Sequence, residues 1–230
     1  MKNRIIFFDD FDNVKINKLM KIENGGYETY YKKYEDDMIE IICNINFNKI
    51  EISRLFNSNI SKDIYVFKEI NDNNIDMIQN LYSNNVTLTA GTVNLNKDSI
   101  NYDCEFLDDV IYFPQLLDEE DTIDIELFIF AIKNRFIGEN HKPMYIIAGK
   151  EEEKKAAGRI PIFILKRFEQ IQKLNDFYLK LYNENEMNIA EISYVEDCIR
   201  EYIEEGSFFK INQIRNSYDE ENTYFLLVAQ

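Results

Sequence analysis

Apolar and polar positions follow two rhythms along this chain, and the rhythm changes past its middle. In the first hundred residues the apolar positions come in short runs. Arg4–Phe8 is one, and it stops at Asp9. Met38–Ile45 and Lys49–Ser53 are rich in Ile and flank Asn46-Phe47-Asn48, which has the length of a hairpin loop. Asp63–Ile70 and Asn85–Leu95 carry β-branched residues in partial alternation and predict two further strands. Between them Ile75, Ile78, Leu81 and Tyr82 recur at helical spacing behind an Asn pair, so Asn74–Ser83 reads as a short helix. Ser99–Phe106 and Asp109–Phe113 continue the strand pattern, the second stopped by Pro114.

Beyond this point the spacing lengthens. Thr122–Ile137 is apolar around most of its circumference, with Asp121 or Thr122 as cap and Asp124 and Glu126 in the first turn, where the helix dipole favours acids. It predicts a buried helix, followed by a short buried strand at Met144–Ala148. Glu151–Lys155 reads as a solvated helix surface with opposite charges three and four apart. Ile160, Ile164, Phe168, Ile171, Leu174, Tyr178 and Leu181 then form one stripe, with Pro161 near its start. Ile189, Ile192, Val195, Ile199 and Tyr202 form a second, ending at Gly206. A short polar link joins the two stripes, which predicts a helical hairpin over 160–203. Phe208–Ile214 and Thr223–Ala229 predict a final β-hairpin. The expected fold class is α+β, with a strand-rich N-terminal half and a helix-rich C-terminal half.

The length of 230 residues suits one large domain or two small ones, and we expect one domain over 1–230 with a soft seam near 139–143. The longest apolar run, Leu127–Ile132, has six residues, far short of the roughly 20 that span a membrane. The N-terminus runs straight into Asp9, Asp10 and Asp12 and does not read as a signal peptide. Three scattered cysteines (Cys43, Cys104, Cys198) fit a reducing compartment, so the expected location is cytoplasmic.

Candidate chemistry is sparse. RIIFFDDFDNV, a strand followed by Asp10 and Asp12, resembles the nucleophile motif of haloacid-dehalogenase-type phosphatases. That resemblance implies carboxylate attack on phosphorus assisted by Mg²⁺. It covers eleven residues, no second metal motif follows, and an Asp-rich turn explains the same residues. The single histidine, His141, removes a His-cluster metal site, and with 7 glycines AGK at 148–150 is no phosphate loop. Tyr27, Tyr30, Tyr31 and Tyr34 could stack bases, but their spacing equally makes a packed helix face or hairpin. No catalytic residue, metal ligand or cofactor is assigned.

Charge changes the picture most. The net charge is −16, and residues 101–132 alone contribute −10 without a single Lys or Arg. Residues 184–205 contribute −7, so the rest of the chain is close to neutral. Local negative potential repels phosphate backbones and speeds encounter with basic partners. The expectation is therefore an immunity-type inhibitor that occludes a basic partner such as a nuclease, without direct nucleic-acid or membrane binding. Its rim acids would be Asp103, Glu105, Asp108, Asp109, Asp118, Glu119, Glu120 and Asp121. Tyr112 and Phe113, with Tyr102 and Phe106, would be the aromatic anchors. The alternatives are a metal-dependent enzyme acting on phosphate esters or nucleic acid, and a non-catalytic subunit of a larger defence-type complex.

Overall fold

The structure, a computed structural model, describes residues 3–8, 13–15, 20–24, 27–34, 37–45, 62–82, 86–96, 107, 109–117, 122–134, 144–167, 171–215 and 221–230. Residues 1–125 and 126–230 form two compact units.

In the amino-terminal unit β1 (Asn3–Phe8) lies inside a largely parallel sheet. It pairs in parallel with β5 (Asp37–Ile45) on one side and β6 (Lys62–Asn71) on the other. Beyond β6 follow β7 (Thr87–Asn94) and β8 (Ile111–Tyr112), also parallel. Beyond β5 follow β4 (Tyr27–Tyr34) and β3 (Met20–Asn24), both antiparallel to their neighbours. A small separate pairing joins β2 (Asn13–Lys15) to β9 (Thr122–Asp124). Interior parallel strands are covered on both faces, which is why Ile5, Ile6 and Phe7 and again Tyr65, Val66 and Phe67 are buried without alternation. Helix α1 (Ile75–Tyr82) sets Ile75 and Ile78 against Tyr65, Phe67, Leu88 and Ala90.

One charged pair sits in this sheet. Arg4 and Asp63 are register partners on β1 and β6, and both are buried. The Arg4 Nε and Nη2 atoms donate to the two Asp63 carboxylate oxygens at 3.0 and 2.7 Å. The Tyr65 hydroxyl donates to the same carboxylate at 3.3 Å. Burial, and next the Asp63 charge, push the Tyr65 phenol well above its ordinary pKa.

The carboxy-terminal unit opens with α2 (Ile125–Asn134) and is built on β10 (Met144–Glu152), β11 (Asp176–Asn183), β12 (Phe208–Arg215) and β13 (Asn222–Ala229). Their order is β12-β11-β13-β10, with β13 antiparallel to both neighbours and β12 parallel to β11. Helices α3 (Ala156–Leu165) and α4 (Ile189–Arg200) cover one face. There Ile160, Ile164, Val195 and Ile199 join Phe177, Leu179, Leu181, Phe225 and Leu227 in one apolar core. Successive strand residues point to opposite faces, and Phe130 of α2 meets Tyr182 and Tyr224 on the other side at 5.0 and 5.3 Å between ring centroids. The Lys180 amine donates to the last carbonyl of α2, at Asn134, across 2.9 Å, and burial pushes its pKa down.

The protein is thus a mixed α/β chain rich in sheet, and several finer expectations are corrected. The helical hairpin over 160–203 does not form. The first stripe breaks after Leu165, and its second half is β11, which separates the two helices in the chain. Pro161 lies inside α3, not at its start. The final β-hairpin is also absent, because β11 lies between β12 and β13. Thr122–Ile137 begins as β9 and becomes helical only at Ile125. Glu151 and Glu152 end a strand, and only 153–155 turn, as one short 3₁₀ turn. Of the two readings of the Tyr-rich segment, the hairpin holds and the helix face does not: it is strand β4, antiparallel to β3 and β5. Lys49–Ser53 and Ser99–Phe106 lie outside the described residues.

Candidate functional site

The arrangement with most chemical potential is the carboxyl edge of the amino-terminal sheet. The chain leaves β1 toward β5 on one side, then returns to place β6, β7 and β8 on the other. Strand order therefore reverses between β1 and β6. In open parallel sheets the connections after such neighbouring strands diverge to opposite faces, which leaves a crevice outside their carboxyl ends.

Past the last β1 pairing at Val66, β6 runs on to Asn71, in register with Asn94 of β7, and turns at 71–74 into α1. Asn71 N–H donates to the Asn74 side-chain oxygen at 2.8 Å, and Asn73 N–H donates to the Asn71 side-chain oxygen at 3.0 Å. Asn74 N–H donates to the Asn71 carbonyl at 3.1 Å, and its side-chain amide donates to the Glu69 carbonyl at 2.9 Å. Three backbone N–H groups that a phosphate-binding turn would offer to its ligand are thus taken by internal acceptors. Asp76 in the first turn of α1 further disfavours an anion there. Asp72 accepts from Asn96 through the main-chain N–H, at 3.3 Å, and through the side-chain amide. This strap ties the end of β6 to the residues just after β7. The side chains of Asn71, Asp72, Asn74 and Asn96 are thus bonded within the turn and strap, and Asn73 and Asn94 are exposed beside them.

Of the rim and anchor residues singled out from sequence, Asp109, Tyr112 and Phe113 are described. Asp109 is exposed, and Tyr112 is half-buried on β8 in register with Ala90. Phe113 is only 3% exposed, and its N–H donates to the Ala90 carbonyl at 2.8 Å, so it is core and not an anchor. Asp103, Glu105, Asp108, Asp118, Glu119, Glu120 and Asp121 lie outside the described residues, as do Tyr102, Phe106, Asp10, Asp12, Cys104 and His141. Cys198 is a half-buried thiol on α4. The Asn-Asp-Asn-Asn turn was visible in the sequence as the start of a helix. Its place at an order reversal was not, because that depends on which strands pair.

No protein-family model matches the chain, and no curated protein sequence matches it. Solved structures do match in part. An FtsZ dimer from M. jannaschii is 13% identical and aligns over 78% of this chain and 56% of its own, with a TM-score of 0.41. CetZ from Methanosaeta thermophila is 13% identical over 78% of this chain and 64% of its own, at 0.42. GDP-form protofilaments of TubZ from Bacillus thuringiensis serovar israelensis give 10% over 78% and 65%, at 0.39. The chain spans little more than half the length of the matched FtsZ chains. At these scores no activity is carried across. The matches do correct the reading of the chain as an immunity-type inhibitor of a basic nuclease. The structures it matches in part are FtsZ, CetZ and TubZ, and the buried Phe113 is unavailable as an anchor. That reading and its basic protein partner are withdrawn.

Proposed function

We propose that the amino-terminal unit binds a nucleoside or nucleotide at the carboxyl ends of β1 and β6, gripping base and ribose rather than phosphates. The observation that carries this reading is the reversal of strand order around β1. The polar side chains on the rim set the chemical class. The exposed Asn73 and Asn94 amides pair with the donors and acceptors of a base edge, and the lone pairs of the Asp72 carboxylate that Asn96 leaves over accept from ribose hydroxyls. Because the turn amides at Asn71, Asn73 and Asn74 are already bonded within the turn, phosphate groups would extend toward solvent.

The test is isothermal titration of the full chain with guanosine, adenosine, GDP and GTP, with and without Mg²⁺. One nucleoside should bind, and its di- and triphosphates should bind with affinities within about threefold of it. Asp72→Ala, which unties the strap to Asn96, should weaken binding by about tenfold while the protein keeps its melting temperature within a few degrees. Absence of binding by every probe at about 1 mM would sink the reading. A GTP affinity that depends wholly on the phosphates would sink the base-and-ribose part of it.

A further inference from the structure

We infer that the layer formed by α3 and α4 is an interface between two copies of this chain, with α3 of each copy lying on α4 of the other. Both helices are crossovers between parallel strands on the same face of one sheet, so they run in the same direction, side by side. Their inner faces are sealed, while their outer faces differ in charge. Residues 154–167 carry five cations (Lys154, Lys155, Arg159, Lys166, Arg167) and no acid. With Glu151 and Glu152, which pair with Arg159 and Lys155, and with Glu153, the segment 151–167 still sums to +2. Residues 184–205 carry eight acids and one Arg.

Each outer face also exposes large apolar side chains. Ile162 is 56% exposed on α3, between Arg159 and Lys166 at helical spacing. Tyr194 is 54% exposed on α4 and Tyr202 57% exposed in the turn just after it, and Asp197 and the C-cap Glu201 continue the Tyr194 stripe. An apolar centre with a charged rim is the composition expected of an association surface. Charge then selects the occupant and the symmetry. A two-fold axis along the helices lays basic α3 over acidic α4 twice, making one self-complementary patch. A two-fold axis across the helices would set α3 on α3 and α4 on α4, with like charges facing. A second copy of the chain therefore satisfies both halves of the surface at once.

The test is sedimentation equilibrium of the full chain at several ionic strengths. A dimer is expected at about 0.05 M salt, with its dissociation constant rising by at least about tenfold toward 0.5 M as screening increases. Reversing α3 alone (Arg159→Glu with Lys166→Glu) should give a monomer, and so should reversing α4 alone (Asp197→Lys with Glu201→Arg). Combining both reversals in one chain should restore the dimer, which damage to the fold would not do. Ile162→Asp, an exposed position, should also dissociate the dimer without lowering the melting temperature. A monomer at all salt concentrations, or a dimer indifferent to the single-helix reversals, overturns the proposal. So does a combined variant that stays monomeric.

Discussion

Arg4–Asp63 in the amino-terminal unit and Arg200–Glu196 in the carboxy-terminal unit are both arginine–carboxylate pairs, each with an N···O distance of 2.7 Å. They differ in surroundings. The first pair has side chains 6% and 10% exposed and lies between two strands, whereas the second has 43% and 34% and lies along one helix. In the interior, two charges have lost their water and depend on each other, so removing one leaves an expensive remainder. At the surface, water and salt replace a lost partner. The amino-terminal sheet is thus sensitive to charge at its β1–β6 seam. The carboxy-terminal sheet, closed by Phe177, Leu179, Leu181, Phe225 and Leu227 under two helices, is sensitive to shape.

The largest effect should come from breaking the buried pair on one side only. Asp63→Ala leaves the Arg4 guanidinium buried without its carboxylate and takes away the acceptor of the Tyr65 hydroxyl. We expect a loss of about 3–5 kcal/mol, read by urea denaturation. The double variant Arg4→Met with Asp63→Leu removes both charges and should cost clearly less, because it leaves no buried ion behind. Equal losses for the two variants would show that packing rather than charge governs this seam.

Shape governs the next effect. Gly149 on β10 faces the Phe225 ring of β13, its register partner, and a Cβ built at that glycine collides with the ring. Gly149→Ala should therefore cost about 1–3 kcal/mol, since Phe225 is fully buried and has no room to yield. A neutral Gly149→Ala would mean that the core between the sheet and α3 is looser than its burial indicates.

The same contrast explains what the sequence disclosed. β1 was legible as a short apolar run, β6 and β7 through β-branched residues in partial alternation, and α1 because Ile75 and Ile78 sit at helical spacing behind Asn74. β11 was misread for a physical reason. Phe177, Leu179 and Leu181 face α3 and α4 while Tyr182 meets α2, so both faces carry large side chains. Tyr178 and Tyr182 blur the alternation that Asp176 and Lys180 keep on that face, and Leu174, Tyr178 and Leu181 also matched the helical stripe begun at Ile160. The mistaken β-hairpin has another origin. Local patterning finds β12 and β13 but not β11 inserted between them, because pairing is decided by distant chain segments. The crevice at β1 and β6 was hidden for that reason too. Its residues are visible singly, and only topology makes them a rim.

The smallest effect sharpens the comparison from the exposed side. Glu196→Ala removes only the carboxylate partner of an exposed pair four residues apart and should change stability by no more than about 0.5 kcal/mol. Arg200→Ala should cost more, about 1 kcal/mol, although it breaks the same pair. Arg200 Nη2 also donates to the Phe209 carbonyl at 3.2 Å, and its guanidinium lies 5.5 Å from the centre of the Phe209 ring. Those contacts fasten the end of α4 to β12, and they draw on the planar head and long stem of the side chain rather than on its charge pairing. Measured by thermal unfolding in low and high salt, the Glu196→Ala difference should vanish in high salt while most of the Arg200→Ala difference persists. Equal costs for the two variants would mean that the ion pair, and not the contact with Phe209, is what Arg200 contributes.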